Sequence, residues 1–272
     1  MSFESDPPLA GRVAVITGVS RRKGIGFAIA GRLAAMGASL FLQHHAPSDA
    51  EQPWGAESID EVMEALTMKL AASARLEHAE FDFTRSDAPR QLIDSARSAL
   101  GHLDVLVCNH ARSGGDGPLA QMTAERLDEH WQVNTRSTLL ATQRFADQHD
   151  GRRGGRVIWL TSGQTQGPMS GEIAYATSKA ALAGITSSVA DDVIDRGILL
   201  NTVNPGPVNT GYLDGEMTDR PSEVLESVLA RCPTGRFGEP DDPARLIAWL
   251  VSDEGRWMVG QVLNTEGGFL RW

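Results

Sequence analysis

Short apolar runs alternate with stretches of helical period along most of this chain. Residues 12–17 are β-branched and apolar and predict a first strand. A glycine-containing turn over 18–26 follows, and residues 27–36 carry apolar positions at helical spacing. Residues 39–43 predict a second strand. The polar stretch 44–57, with Pro47, Pro53 and Trp54, reads as an unusually long loop. Ile59, Val62, Met63, Leu66 and Leu70 fall on one helical face, so 58–72 predicts a helix with Ser58 as N-cap. Strands are expected at 76–83, ending around Asp82, at 104–108, at 156–160, at 199–204 and at 261–264. Helices are expected at 88–100, closed by Gly101, at 123–148, at 175–196, at 222–230 and at 242–252. The segment 113–118 reads as a loop. Strands alternating with helices throughout imply an α/β fold: a Rossmann-type, doubly wound parallel sheet covered on both faces. With no break in composition, residues 1–272 are expected to form a single domain.

Bulk composition narrows the function classes. The net charge of −10 argues against general binding of nucleic acid. No apolar run approaches the length of a membrane span. The first residues show neither a basic region nor an apolar core, so no secretory signal is expected. Two cysteines, Cys108 and Cys232, offer no disulfide framework and no metal spacing. Cys108 reads as a core thiol. A reducing, cytoplasmic setting is the expectation, with no membrane partner and no metal.

Candidate chemistry gathers between residues 161 and 179. Tyr175 and Lys179 are four apart, which puts them one turn from each other on one helical face. A cation there favours the phenolate, so the phenol exchanges protons more readily near neutral pH. Ser162 follows the strand at 156–160 and can polarise a carbonyl facing that tyrosine. The bland alternative is a solvated lysine beside a half-buried tyrosine. The turn at 18–26 lies between a strand and a helix, the context a dinucleotide-binding turn requires. Its glycines let the backbone approach a pyrophosphate, and the helix N-terminus offers N–H groups to it. Taken alone, such a turn serves equally well as a plain strand-to-helix connection.

With these residues in place, the chain resembles the short-chain dehydrogenase/reductase family along essentially its whole length. Thr17 and Gly18 with Gly24, Ile25 and Gly26 resemble the family's glycine motif. Ser162, Tyr175 and Lys179 match its catalytic residues, and Asn134 matches the asparagine of the preceding long helix. Asn204, Pro205 and Gly206 with Val208 and Thr210 resemble the segment that holds the nicotinamide carboxamide. Gly260 and Gln261, then Glu266, Gly267 and Gly268, resemble the C-terminal signature. The closest likeness is to reductases of the 3-oxoacyl-carrier-protein type. The resemblance implies an oxidoreductase that moves a hydride between a nicotinamide and a ketone or secondary alcohol. It implies that Ser162 donates to the carbonyl oxygen, Tyr175 delivers the proton, Lys179 supports the phenol and binds the ribose, and Asn134 holds a water linking Lys179 to solvent. The implied cofactor residues are Gly18, Ser20, Arg21, Arg22, Gly24, Ile25, Asp82, Phe83, Asn109, Ala111, Tyr175, Lys179, Pro205, Gly206, Val208 and Thr210. A small-molecule substrate would lie among residues 163–173, 110–118 and a substrate loop at 211–233, where Met169, Leu213 and Met217 make the walls partly apolar. A homotetramer is expected from the resemblance and from the apolar segment 267–272, with Phe269, Leu270 and Trp272.

The departures from the family pattern carry information. Residues 19–23 make the glycine motif two residues longer than usual. Cys108, Asn109, His110 and Ala111 stand where Asn, Asn, Ala and Gly are usual, and a thiol replaces the first asparagine's hydrogen bonds poorly. His110 reads as a spacer in preference to a group facing the active site. Strand two ends in Gln43, His44 and His45, without the carboxylate that NAD enzymes place there. Arg21, Arg22 and Lys23 put three cations in the turn, where a 2′-phosphate would find partners. NADP(H) is therefore favoured over NAD(H). The alternative is a catalytically inactive NADP-binding sensor or scaffold; an epimerase of the extended relatives would need a larger C-terminal region.

Overall fold

Seven strands form one parallel sheet in the order β3-β2-β1-β4-β5-β6-β7. They are β1 (Val13–Ile16), β2 (Ser39–His44), β3 (Leu76–Glu80), β4 (Val105–Cys108), β5 (Gly155–Leu160), β6 (Ile198–Asn204) and β7 (Val262–Asn264). The structure, a computed structural model, describes residues 7–214 and 221–269. Met217, Leu270, Trp272 and the part of the expected substrate loop at 215–220 lie outside the described residues.

The strands β1, β4 and β5 are buried along their whole length. This is why they read as unbroken apolar runs. Their side chains still alternate between two cores. Ala14, Ile16, Val105, Val107, Ile158 and Leu160 pack with α1 (Ile25–Ala35), α3 (Ile59–Thr67) and α9 (Asp241–Val251). Val13, Val15, Leu106, Cys108, Val157 and Trp159 pack on the opposite face against α4 (Ala88–Leu100), α6 (Ser137–Gln148) and α7 (Ile173–Ile194). Trp159 is fully buried and donates from its indole nitrogen to the Thr142 hydroxyl at 2.9 Å, so its polar atom costs little.

Register brings the motifs to one edge. Ile16 pairs with Val107, Cys108 with Trp159, Leu160 with Val203 and Asn204 with Asn264. The residues after each strand therefore emerge side by side: Thr17 and Gly18, Asn109 and His110, Thr161 and Ser162, Pro205 and Gly206. Strand order reverses between β1 and β4, which is where open α/β sheets bind ligands.

Four expectations are corrected. The stretch 44–57 contains a short helix, α2 (Ala46–Ala50), with Pro47 in its first turn, where a missing N–H does no harm. Ser58 precedes α3 but makes no capping bond with its side chain. The edge strand β3 stops at Glu80, opposite His44, where β2 ends. The helix expected over 123–148 is broken: α5 (Ala124–His130) passes into a π-helical turn (Trp131–Arg136) before α6. No proline or glycine causes this. The Ser137 hydroxyl bonds the Val133 carbonyl, and the Thr138 hydroxyl bonds the Asn134 carbonyl at 2.9 Å. Asn134 sits inside this turn. Within the expected substrate loop at 211–233, α8 (Ser222–Leu229) forms close to the helix expected at 222–230, and Phe269 is buried.

Candidate active site

The turn after β1 is held from three sides. Asn109 donates from its side-chain nitrogen to the carbonyls of Thr17 and Gly18, both at 3.0 Å, and the Asn109 N–H donates to the Thr17 hydroxyl. Gln43 accepts from the Gly18 N–H at 2.9 Å and donates to the carbonyls of His44 and Phe81. Gly18 has φ +72°, and a Cβ on Gly26 would come within 2.5 Å of the Gly18 carbonyl oxygen. Only glycine fits both places. Gly24 then precedes α1 without a capping side chain, and the first turn from Ile25 contains no acid. A helix N-terminus kept clear of acids, next to three cations, suits a phosphate.

Lys179 is a buried cation. It is 2% exposed and donates to the Leu160 carbonyl at 2.9 Å, and the Thr161 hydroxyl donates back to the Lys179 carbonyl. These bonds stitch the end of β5 to α7, and Ser162 follows two residues after Leu160. The ammonium lies 5.9 Å from the centre of the Tyr175 ring. Burial pushes the amine down from its ordinary value to about 8.

Asn134 sits in the π-helical turn, fully buried. Its side-chain oxygen accepts from the Arg112 N–H at 2.7 Å, and its nitrogen donates to the Arg112 carbonyl and the Ser178 hydroxyl. Both amide hydrogens are used, so any water there must be held through oxygen. The Ser178 hydroxyl passes the chain of bonds on to the Tyr175 carbonyl.

His110 is neither a spacer nor a group in the pocket. It is buried, its Nδ1 lies 2.6 Å from the Thr17 hydroxyl, and its Nε2 faces the Val133 carbonyl at 2.9 Å and the Ser137 hydroxyl at 2.7 Å. A carbonyl only accepts, so Nε2 carries the hydrogen and Nδ1 accepts from Thr17. The ring also packs on Phe83, 4.2 Å between centres. Burial and the nearby Lys179 charge push its titration down to about 3, so it stays neutral. His110 thus joins the phosphate turn to the π-helical turn. Cys108 behaves as the expected core thiol, pushed up to about 12 by burial.

The expected 2′-phosphate clamp is more entangled than its sequence suggests. Arg21 is only 13% exposed in its side chain. It pairs with Asp49 of α2 at 2.9 Å, donates to the Thr210 carbonyl at 2.9 Å and lies over Trp54. Arg22 is 52% exposed and pairs with Glu57 and Glu61, and Lys23 pairs with Asp214. Strand two indeed ends without a carboxylate, but acids arrive from the stretch beyond it. Gln43 and His44 both turn inward, His44 toward His78, while His45 meets Glu80. Ser20 accepts weakly from the His45 N–H at 3.4 Å. Asp82 bonds the N–H and hydroxyl of Thr84, fixing the turn that leads to Phe83.

On the other side of the crevice, Gly206 takes φ +72°, and its N–H donates to the Asn204 side chain. Val208 bridges to Gly238, and Thr210 presents the carbonyl that Arg21 holds. Ala111 is exposed. Leu213 is buried and packs as core, while Tyr212 meets Trp54 edge-on. Residues whose part the sequence did not reveal are Asp49, Glu57, Trp54, Asp116 and Asp214, all brought in by tertiary contacts.

A family model described as enoyl-(acyl carrier protein) reductase matches residues 18–270. A protein named as an uncharacterized oxidoreductase of Bacillus subtilis is 36% identical over 262 residues, covering 96% of this chain and 97% of that protein. Among solved structures, a short-chain dehydrogenase from Burkholderia cenocepacia in complex with NADP is similar with a TM-score of 0.80 and 32% identity, covering 96% of this chain and 98% of the other. A 7α-hydroxysteroid dehydrogenase complexed with NADH and a 7-oxo bile acid conjugate gives a TM-score of 0.83 at 27% identity, covering 99% of each.

Proposed function

Because the chain belongs to the short-chain dehydrogenase/reductase family, we propose that it is an NADP(H)-dependent oxidoreductase that interconverts a ketone and a secondary alcohol, as 3-oxoacyl-type reductases and related ketoreductases do. The observation that carries this reading is the buried Lys179 ammonium beside the Tyr175 ring, one helical turn apart. The nicotinamide supplies or accepts the hydride when bound. Ser162 donates a hydrogen bond to the substrate oxygen, where negative charge develops. Tyr175 delivers the proton to that oxygen. Lys179 stabilises the phenolate left behind by its charge, at a depth where water screens little. Asn134 anchors the 112 loop against α7 and offers oxygen to a water that refills the proton. Pro205, Gly206, Val208 and Thr210 hold the nicotinamide end, and the turn at 18–26 holds the pyrophosphate. Screening ketones, secondary alcohols and an enoyl thioester with both cofactors, by absorbance of the reduced nicotinamide, tests the reading. Turnover of the enoyl double bond with none of any carbonyl or alcohol would overturn it.

Cofactor preference rests on Arg22 more than on Arg21. Arg22 is half exposed and its ion pairs with Glu57 and Glu61 are of the weak surface kind, so a 2′-phosphate can displace them. Arg22→Ala should therefore weaken NADPH binding about fivefold, as loss of a charged hydrogen bond to phosphate does, and leave NADH binding nearly unchanged. Arg21 ties the turn to α2 and to Thr210, so Arg21→Ala should weaken both cofactors together. Fluorescence titration of both variants with both cofactors reads this out. An equal loss for NADH and NADPH in Arg22→Ala would place the preference elsewhere, at His45.

A further inference from the structure

Helix α7 carries both Tyr175 and Lys179, yet its own sequence does not cap it. The residue before it is Glu172, whose side chain makes no capping bond, and the first turn holds no acid. An α-helix leaves its first N–H groups without intrahelical partners. Those of Ile173, Ala174 and Tyr175 are taken instead by the loop between β4 and α5. Ile173 donates to the Gly117 carbonyl at 3.2 Å. Ala174 donates to Asp116 Oδ1 at 3.0 Å and Tyr175 to Asp116 Oδ2 at 2.7 Å, across 58 and 59 residues of sequence. The Gly117 N–H also donates to Oδ1 at 2.7 Å.

Asp116 is 5% exposed in its side chain, and the Nε2 of His130 lies 4.0 Å from its Oδ2. His130 donates from Nδ1 to the Arg126 carbonyl, since a carbonyl only accepts. Burying a carboxylate without a close counter-charge is costly unless hydrogen bonds satisfy it. Here three backbone N–H groups do so, and they include the amide of the residue that bears the phenol.

We propose that Asp116 is a positioning residue for Tyr175: from the loop expected to wall the substrate, it caps the catalytic helix at the tyrosine itself. The proposal rests on the oxidoreductase reading above. It makes the phenol and the substrate-side loop one rigid unit, so that whatever fixes the loop also fixes the proton donor relative to the substrate.

The test compares Asp116→Asn, Asp116→Ala and Tyr175→Phe with wild type, with turnover counted per NADPH-binding site. Asparagine keeps the shape and one acceptor but turns an N–H donor toward a backbone N–H; alanine removes both acceptors. Misplacing a reacting group by about 1 Å can cost about a hundredfold in rate. Asp116→Asn should therefore lose about tenfold in kcat and Asp116→Ala about a hundredfold, with the dissociation constant for NADPH within about twofold of wild type. Amide hydrogen exchange over residues 173–178 should quicken in the same order. A merely structural role would lower stability and leave kcat per competent site unchanged. Faster exchange with wild-type kcat in both Asp116 variants would overturn the proposal while leaving the oxidoreductase reading intact. Wild-type turnover by Tyr175→Phe would overturn that reading, and this proposal with it.

Discussion

Replacing Tyr175 by phenylalanine should lower turnover by on the order of a thousandfold, within the range a lost general acid costs, while NADPH binding stays within about twofold of wild type. The substitution keeps the ring, so the packing near Lys179, 5.9 Å from its centre, survives. The backbone bond from residue 175 to Asp116 does not involve the phenol and survives too. The transferable proton is lost. Ser162 would still polarise the substrate oxygen, which is why activity should not vanish altogether. The companion variant Ser162→Ala should cost about a hundredfold, the scale of one missing oxyanion donor. Steady-state rates by nicotinamide absorbance, beside fluorescence titration of the cofactor, separate the two effects. Near-wild-type turnover in Tyr175→Phe would remove the tyrosine from the chemistry.

Sequence pattern made this site partly visible, and the boundary follows physical lines. Tyr175 and Lys179 were legible because four residues is one helical turn. Ser162 was legible because the apolar run ending at Leu160 marks the end of a strand. α4 was readable to both ends, since its apolar face is strongly periodic and Gly101 closes it at φ +86°. The π-helical turn was not readable. One inserted residue hardly disturbs a hydrophobic pattern, and Ser137 and Thr138, whose hydroxyls bond back to Val133 and Asn134, look ordinary in a helix. α2 was hidden because five residues are too few to show a period, and Pro47 resembles a breaker.

The partners of the basic turn were invisible for a different reason. Arg21 finds Asp49 at a separation of 28 residues, Arg22 finds Glu57 at 35, and Lys23 finds Asp214 at 191. No local pattern encodes such pairs. The missing carboxylate at the end of strand two was read correctly, but its inference assumed that cations in the turn stay unpaired. His110 failed as a spacer on similar grounds. A histidine in place of alanine adds two ring nitrogens to a buried spot, and the fold satisfies both, through Thr17 on one side and Val133 with Ser137 on the other. Its role exists only once β1, β4 and the π-helical turn have met.

Lys179→Met should abolish turnover and at the same time stabilise the cofactor-free protein. The ammonium is 2% exposed and makes one hydrogen bond, to the Leu160 carbonyl. Its titration falls from 10.5 to about 8 because burial disfavours the charged form. At neutral pH the lysine is charged in both the folded and unfolded states, so that shift measures a folding penalty of about 3 kcal/mol, at 1.36 kcal/mol per unit. Methionine fills similar volume without charge. It leaves the Leu160 carbonyl without that donor, at a cost of about 1 kcal/mol. The net gain of about 2 kcal/mol corresponds to a rise in Tm of roughly 4–8 °C for a chain of this size. The sign with pH is fixed. Below about 8 the lysine is charged in both states and the full gap between variant and wild type holds. Between about 8 and 10.5 the folded lysine discharges first, wild type gains stability, and the gap closes. Thermal melts of both proteins in cofactor-free buffer at pH 7 and pH 10 would show it. A variant that melts below wild type at pH 7 would mean that the buried ammonium, through its bond to Leu160, holds β5 to α7 more firmly than its desolvation loosens them.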